Sequence, residues 1–362
     1  MRIELETNIK YLLSLLQSNT ILIGFLFMKL LRFLLFPIMP VYFLVTWLRN
    51  LLYDCGIKKT MTYNFPVLCV GNLSAGGTGK TPMVEYLIRL LKEDYKVATL
   101  SRGYGRETEG FVLGALHDDA KTLGDEPFQF YSKYGDAIKV AVDANRQQGI
   151  SKLRGLLNKP EVIILDDAFQ HRKVTAGLNL LLTTHANLYY KDCVLPTGDL
   201  REPRAGAKRA DIILVTKCPP QLTEEEKTKI LKGLKPKSHQ SVFFSSISYS
   251  KTVFSETESR ALNQLPNFTL ITGIANASPL VHYLKTEGLD FKHLEFKDHY
   301  SFSPSDISRF ENEDVLLTTE KDFMRLKSFP ELKGKLFYLP IEAQIDRHET
   351  FNRLIIDFVT NN

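Results

Sequence analysis

Residues 67–82 constrain this chain more than any other stretch. Val67 to Val70 is a short apolar run, and it opens into Gly71-Asn-Leu-Ser-Ala-Gly-Gly-Thr-Gly-Lys-Thr-Pro82. A helical pattern follows, with Met83, Val84, Leu87, Ile88 and Leu91 on one face. Strand, glycine loop, Lys-Thr and helix, in that order, read as a phosphate-binding loop. Gly76, Gly77 and Gly79 let backbone N–H groups converge on an anion, and the helix N-terminus adds roughly half a positive charge behind them. In this reading Ser74, Ala75, Gly76, Gly77, Thr78 and Gly79 wrap the phosphates. Lys80 reaches the β- and γ-phosphates, and the Thr81 hydroxyl ligates Mg²⁺. Strict spacing asks for glycine at position 74, where serine stands; a small residue fits there if its φ is negative. A glycine turn that merely joins strand to helix is the plain alternative. The Lys-Thr context favours a nucleoside triphosphate site.

The distribution of charge bounds the partners. The formal net charge is +5, and residues 1–60 hold seven Lys or Arg against three acids, while the remainder is nearly balanced. A nucleic-acid binder spreads a basic stripe over its folded domain, so none is expected here. The positive excess adjoins an apolar segment, as for contact with an anionic membrane surface. Cys55, Cys69, Cys193 and Cys218 show no C-x-x-C pairing and no zinc-type spacing. Cys69 falls inside the first strand and reads as a small core residue.

Residues 11–28 carry no charge, and after Lys29 and Arg32 a second uncharged run covers Phe33 to Leu48, with Pro37 and Pro40. A spanning helix needs about 20 apolar residues, and the second run is shorter. Met28 begins a plausible alternative start, so residues 1–27 are set apart as an extension. Residues 28–60 are expected to form a membrane-associating helical element lying in the interface, with Lys29, Arg32, Arg49 and Trp47 at headgroup level. A buried core helix and a single span across residues 20–48 are the alternatives.

Beyond Phe65, apolar runs alternate with helical patterns. Val67–Val70, Val97–Leu100, Ile138–Val142, Val162–Leu165, Leu178–Leu182 and Ile212–Val215 are the strand candidates. The fold class is therefore α/β, a P-loop NTPase-type domain with a mostly parallel sheet over residues 61–237. Ser241 to Phe254 alternates like a hairpin, and residues 238–265 read as a two-stranded connector. Residues 266–362 read as a second, smaller α/β domain, with strands at Phe268–Thr272, Phe291–Phe296, Val315–Thr318 and Leu336–Leu339.

Chemistry-bearing residues cluster at predicted strand ends. Val162 to Asp166-Asp167 is an apolar strand closing in a carboxylate pair, as in a Walker B site. Asp166 could ligate Mg²⁺ opposite Thr81, and Asp167 could position a water or a substrate hydroxyl; His171 follows on the same rim. Asp125-Glu126-Pro127 opens a helix. Its acids suit either a base for an accepting hydroxyl or a helix N-cap with an acidic first turn. Arg102, Arg201 and Arg204 offer guanidinium groups for phosphate. Leu214 to Pro219 has the look of a guanine-reading element, but Pro219 stands where its Asp belongs. Adenine is favoured, with Lys217 packing against the base. Asp298-His299 could assist a base from the second domain.

Together these residues resemble the tetraacyldisaccharide 4′-kinase family of Gram-negative bacteria. The matching pieces are Gly71 to Pro82, Ser101-Arg-Gly-Tyr-Gly105, Gly124-Asp-Glu-Pro127, Asp166-Asp-Ala-Phe-Gln-His171, Pro196 to Pro203, Gly273-Ile-Ala-Asn276, Asp298-His-Tyr300 and Thr319-Glu-Lys-Asp322. They run in order from about Met28 nearly to the end. Ala168 stands where glycine is frequent, and residues 1–27 have no counterpart. The resemblance implies phosphorylation by ATP of the 4′-hydroxyl of a tetraacylated glucosamine disaccharide 1-phosphate, a step of lipid A biosynthesis. It implies a peripheral or monotopic enzyme at the cytoplasmic face of the inner membrane. By resemblance Asp125 is the general base and His299 its partner, while Lys80, Thr81 and Asp166 serve the phosphates and Mg²⁺. Glu126 and Asp167 lie near the metal, and Arg201 and Glu202 belong to the rim. A membrane-associated P-loop ATPase acting as a switch or transport motor is the first rival, and a soluble small-molecule kinase or ligase of the same fold class the second.

Overall fold

The structure, a computed structural model, describes Arg32, residues 34–298 and residues 300–362. The extension 1–27, the alternative start at Met28, Lys29 and His299 lie outside the described residues. In chain order the first sheet takes β1 (Val67–Asn72), β2 (Val97–Ser101), β3 (Val112–Leu113), β4 (Lys139–Val142), β5 (Val162–Asp166), β6 (Leu178–Thr184), β7 (Ile212–Thr216) and β8 (Ser241–Tyr249). The chain then builds a second sheet from β9 (Thr252–Phe254), β10 (Ser259–Ala261), β11 (Phe268–Thr272), β12 (Phe291–Glu295), β13 (Leu316–Thr319) and β14 (Leu336–Leu339), and returns to the first with β15 (Ile341–Ile345). The helices are α1 (Met39–Asp54), α2 (Lys80–Leu91), α3 (Ala120–Leu123), α4 (Asp125–Tyr134), α5 (Arg146–Arg154), α6 (Glu224–Leu234), α7 (Ser278–Thr286), α8 (Pro304–Glu311), α9 (Glu320–Leu326) and α10 (His348–Thr360).

Strand order in the first sheet is β15-β8-β7-β6-β1-β5-β2-β4-β3. Its interior strands pair in parallel, and only β3 and β15, at the two edges, run antiparallel to their neighbours. Parallel strands need both faces covered, which explains their unbroken apolar sequences. Cys69, Ile163 and Leu165 enter one core layer, while Leu68, Val70 and Ile164 enter the opposite one. The register sets Val70 beside Asp166 and Leu100 beside Leu165. The loops following β1, β2, β5 and β7 therefore open on one edge, where α/β sheets carry their chemistry.

Residues 238–265 do not form a separate two-stranded connector, since β8 and β9 belong to different sheets and β9 pairs antiparallel with β10. β8 runs parallel to β7 and antiparallel to β15, whereas β9 and β10 join the second sheet. The last residues likewise leave the expected 266–362 unit: β15 completes the first sheet, and α10 packs on its α2 face through Tyr86–Asn352 (2.7 Å) and the Phe243–Phe351 ring contact. The physical reason is that alternation records two unlike faces, not which strand supplies the hydrogen bonds.

Helix α1 is amphipathic the wrong way round for a soluble protein. Tyr42, Thr46, Arg49 and Asn50 face the body, while Val41, Leu44, Val45 and Leu48 face outward, Val45 being 61% exposed. The buried-helix alternative is excluded by that exposure. Among the described residues no helix is long and apolar enough to cross a membrane.

Candidate active site

The phosphate loop is held open by its backbone. Gly76 (φ 107°) and Gly79 (φ 85°) occupy left-handed conformations that a β-carbon disfavours, and α2 starts directly at Lys80. Ser74, at the non-consensus position, does not have a positive φ, which is why serine is accommodated. The loop is pinned from both sides. Ala75 N–H donates to Asp199 O at 2.7 Å, and the Thr216 hydroxyl donates to Thr78 O at 2.8 Å. Such pinning lowers the ordering cost of binding an anion. Lys80 Nζ lies 3.5 Å from Asn72 Oδ1 and 3.7 Å from Asp167 Oδ1.

Asp166 ends β5 almost fully buried. Its Oδ2 accepts from Ser101 Oγ at 3.2 Å, and its Oδ1 has no hydrogen-bond partner among the described residues. Burial, reinforced by the neighbouring Asp167, pushes this carboxyl up to about 7. A buried oxygen with an unused acceptor position beside a phosphate loop fits a divalent cation, whose charge would reverse that shift. No group of three or more His, Cys, Asp or Glu among the described residues could hold a metal by itself. Mg²⁺ in nucleotide sites keeps waters and takes phosphate oxygens alongside one or two carboxylates. Asp167 is already engaged. It adopts φ 48°, and both its oxygens lie 3.0 Å from Arg201 Nη1. Burial pushes its carboxyl up, but Lys80 and Arg201 together outweigh that and hold it below the usual range. Asp167 thus orients the two cations.

The two acids of α4 do not cap it. Gly124 takes the N-cap position, and Asp125 and Glu126 form the acidic first turn of the helix. Asp125 also forms an ion pair with Arg325, and Glu126 with Lys321 (3.5 Å), both from α9 of the second sheet. A β-carbon on Gly124 would stand 2.9 Å from Tyr104 O, so only glycine lets the Ser101–Arg106 loop, with its exposed Arg102, close against the start of α4.

Arg201 and Glu202 behave differently. Arg201 sits at the rim on Asp167, whereas Glu202 lies beneath it, 1% exposed. Its oxygens accept from Arg209 (2.7 and 3.0 Å), Gln170 (3.0 Å) and Asn50 (2.6 Å), because a buried carboxylate must be fully paired. Glu202 thereby fastens α1 to the site. Tyr42 O–H donates to Arg201 O (2.9 Å), Arg49 to Gln170 O (2.7 Å), and Arg32 pairs with Asp199 (2.8 Å). Arg204 donates to Asp192 O and does not approach Asp167 among these contacts. Burial, with Arg146 and Lys173 nearby, pushes the His171 imidazole down to about 4, so it is neutral at pH 7. Lys217 adopts φ 54°, and its ammonium stands 3.8 Å from where a Gly77 β-carbon would be; burial, then Lys80, lowers its pKa. Cys69 is a core thiol, pushed up to about 12 by burial.

Sequence reasoning did not reach Asn50, Lys133 or Arg325, and it quoted Ser101 within the resemblance without giving it a role. Arg325 had a nearby signal, since Thr319 to Asp322 was also part of the resemblance with no role attached.

The sequence profile described as tetraacyldisaccharide-1-P 4′-kinase matches residues 31–360. The chain belongs to this family. A tetraacyldisaccharide 4′-kinase from Flavobacterium johnsoniae is 47% identical over 92% of this chain and 99% of its own length. One from Bacteroides fragilis is 41% identical over 91% of this chain and 93% of its own. The crystal structure of LpxK from Aquifex aeolicus in complex with ATP superposes with a TM-score of 0.73 at 31% identity, covering 91% of this chain and 99% of that one. This protein is accordingly a kinase with the fold of that family, and the parallel-sheet α/β architecture expected from the sequence is the one observed.

Proposed function

We propose that this kinase transfers the γ-phosphoryl group of ATP to the 4′-hydroxyl of a tetraacyl glucosamine disaccharide 1-phosphate, working at the cytoplasmic face of the inner membrane. The observation that carries the reading is one continuous run of contacts: Tyr42 of the outward-apolar helix holds Arg201, Arg201 holds Asp167, and Asp167 faces Lys80. A lipid-facing element and the phosphate-binding lysine are thus parts of one rim, as an acylated acceptor requires. The acceptor cannot usefully leave the bilayer, so the cleft must come to it.

Phosphoryl transfer is mostly positioning and charge stabilisation. The loop Ser74–Gly79 wraps the phosphates, Lys80 stabilises charge on the transferring group, and Lys217 flanks the nucleotide from β7. Thr81 and Asp166 would hold Mg²⁺, with Glu126 close by, and that ion would supply neutralisation of phosphate charge. Asp125 accepts the proton of the attacking hydroxyl, with His299 as its partner. Arg102, Arg201 and His171 line the acceptor side.

The test is incubation of the purified protein with γ-labelled ATP and the pure disaccharide 1-phosphate in mixed micelles. Label in the glycolipid supports the reading. Label released only as inorganic phosphate would favour an ATPase switch or motor, and label in a water-soluble acceptor a soluble small-molecule kinase.

A further inference from the structure

We infer that Arg325, carried by the second sheet's helix α9, is the positioning residue for Asp125. The inference rests on the reading of Asp125 as general base and adds to it the element that aims the carboxylate. Helices α4 and α9 are joined by three ion pairs: Asp125–Arg325, Glu126–Lys321 (3.5 Å) and Lys133–Glu320 (2.8 Å). The order of partners is reversed along the two helices, so they lie antiparallel, and the pairs set one register. Arg325 is itself anchored. Its Nη1 lies 3.4 Å from Asp322 Oδ1, and its side chain is 12% exposed. Asp322 is fully buried and accepts from Gly273 N–H and the Thr319 hydroxyl, each at 2.8 Å. A rigid line therefore runs from the end of β11 through Asp322 and Arg325 to Asp125.

This line answers a geometric problem. A carboxylate in the first turn of a helix is drawn to the unpaired N–H groups of its own backbone. At α4 the N-cap is Gly124, which has no side chain, and the Arg325 guanidinium holds Asp125 Oδ2 toward the second sheet. Arginine suits the task, because its planar fork bonds Asp322 through one nitrogen and Asp125 through another. The Thr319-Glu-Lys-Asp322 segment then has a purpose: it docks the second sheet onto the base helix and aims the base.

The experiment is a double-mutant cycle of Arg325→Gln with Asp125→Asn, read as label transfer to the disaccharide lipid, with Arg325→Lys alongside. Arg325→Gln is expected to lower kcat about tenfold or more, as a misplaced reacting group does, with KM for ATP unchanged. Arg325→Lys should recover most of the loss. In the Asp125→Asn background, Arg325→Gln should cost less than about twofold, since a positioning residue has nothing left to position. A merely structural arginine would cost the same in both backgrounds, and that result overturns the inference. Circular dichroism reports folding; should the glutamine variant melt early, the cycle is read with Arg325→Lys. Full activity in folded Arg325→Gln beside an inactive Asp125→Asn overturns this inference alone. Near-normal turnover in Asp125→Asn overturns the base assignment together with it.

Discussion

Replacing Lys133 by methionine tests how the two sheets are held together. Lys133 Nζ lies 2.6 Å from Glu85 Oε2 on the phosphate-loop helix and 2.8 Å from Glu320 Oε1 on α9. The two carboxylates are 2% and 5% exposed, so the ammonium is what makes their ionised state tolerable. Removing one partner of a buried ion pair costs about 3–5 kcal/mol, because a charge is left uncompensated. Glu85 keeps Gln129 (2.8 Å) and Arg89 (3.7 Å), which places the expected loss near the lower end, about 3 kcal/mol at pH 8. The pH dependence fixes the mechanism. Burial, then the Glu85 charge, pushes the Glu320 carboxyl up to about 7 from its ordinary 4.5. The folded state therefore binds this proton more tightly than the unfolded state. The stability linked to it is complete below 4.5 and is lost as pH rises through about 7. In Lys133→Met the penalty should be smaller at pH 5, where Glu320 is protonated and only Glu85 still lacks the ammonium. Urea unfolding followed by far-UV circular dichroism at both pH values measures this. Equal penalties at the two pH values, or a loss below about 1 kcal/mol at pH 8, would refute the reasoning.

Three other substitutions probe the site and its membrane side. Val45→Glu puts a charge on the outward apolar face of α1, where Val45 is 61% exposed. Forgoing about 2 kcal/mol of apolar insertion should weaken binding to anionic vesicles by roughly tenfold or more, and unchanged co-sedimentation would sink the interfacial reading. Glu202→Leu strands the buried donors of Arg209, Asn50 and Gln170 and should destabilise the protein by about 3 kcal/mol; a thermal melt at the wild-type midpoint would contradict it. Asp125→Ala should lower turnover by about 10² or more while ATP binding persists, whereas near-wild-type label transfer would place the base elsewhere.

Much of the nucleotide side was legible in the sequence because its determinants are contiguous. Gly76 and Gly79 are needed for backbone conformations, Lys80 and Thr81 follow at fixed offsets, and Asp166 closes an apolar strand. Each of these relations spans a few residues, over which chain geometry leaves little choice. The surroundings of Asp125 could not be read that way, since Gly124 takes the cap position and the partner Arg325 stands 200 positions later. Glu202 reads as a rim residue beside Arg201, yet adjacent residues in a loop point apart, and one met solvent and Asp167 while the other met a buried Arg209. Arg325 and Lys133 carry no sequence signal of their own, being ordinary surface-type residues until a second helix is laid against them.

By itself the sequence determined that a triphosphate loop leads a parallel α/β sheet, that an apolar, basic segment precedes it, and that eight ordered motifs mark one kinase family. Tertiary structure alone decided that β15 and α10 return to the first sheet, that α1 turns its polar face inward, and that Asp125 pairs with a helix of the other sheet. The division is physical. Local motifs are written in backbone dihedral preferences and in the period of apolar residues, which neighbours in the chain already settle. Contacts between distant segments follow from which surfaces pack together, and that choice minimises exposed apolar area and unpaired charge over the whole molecule at once.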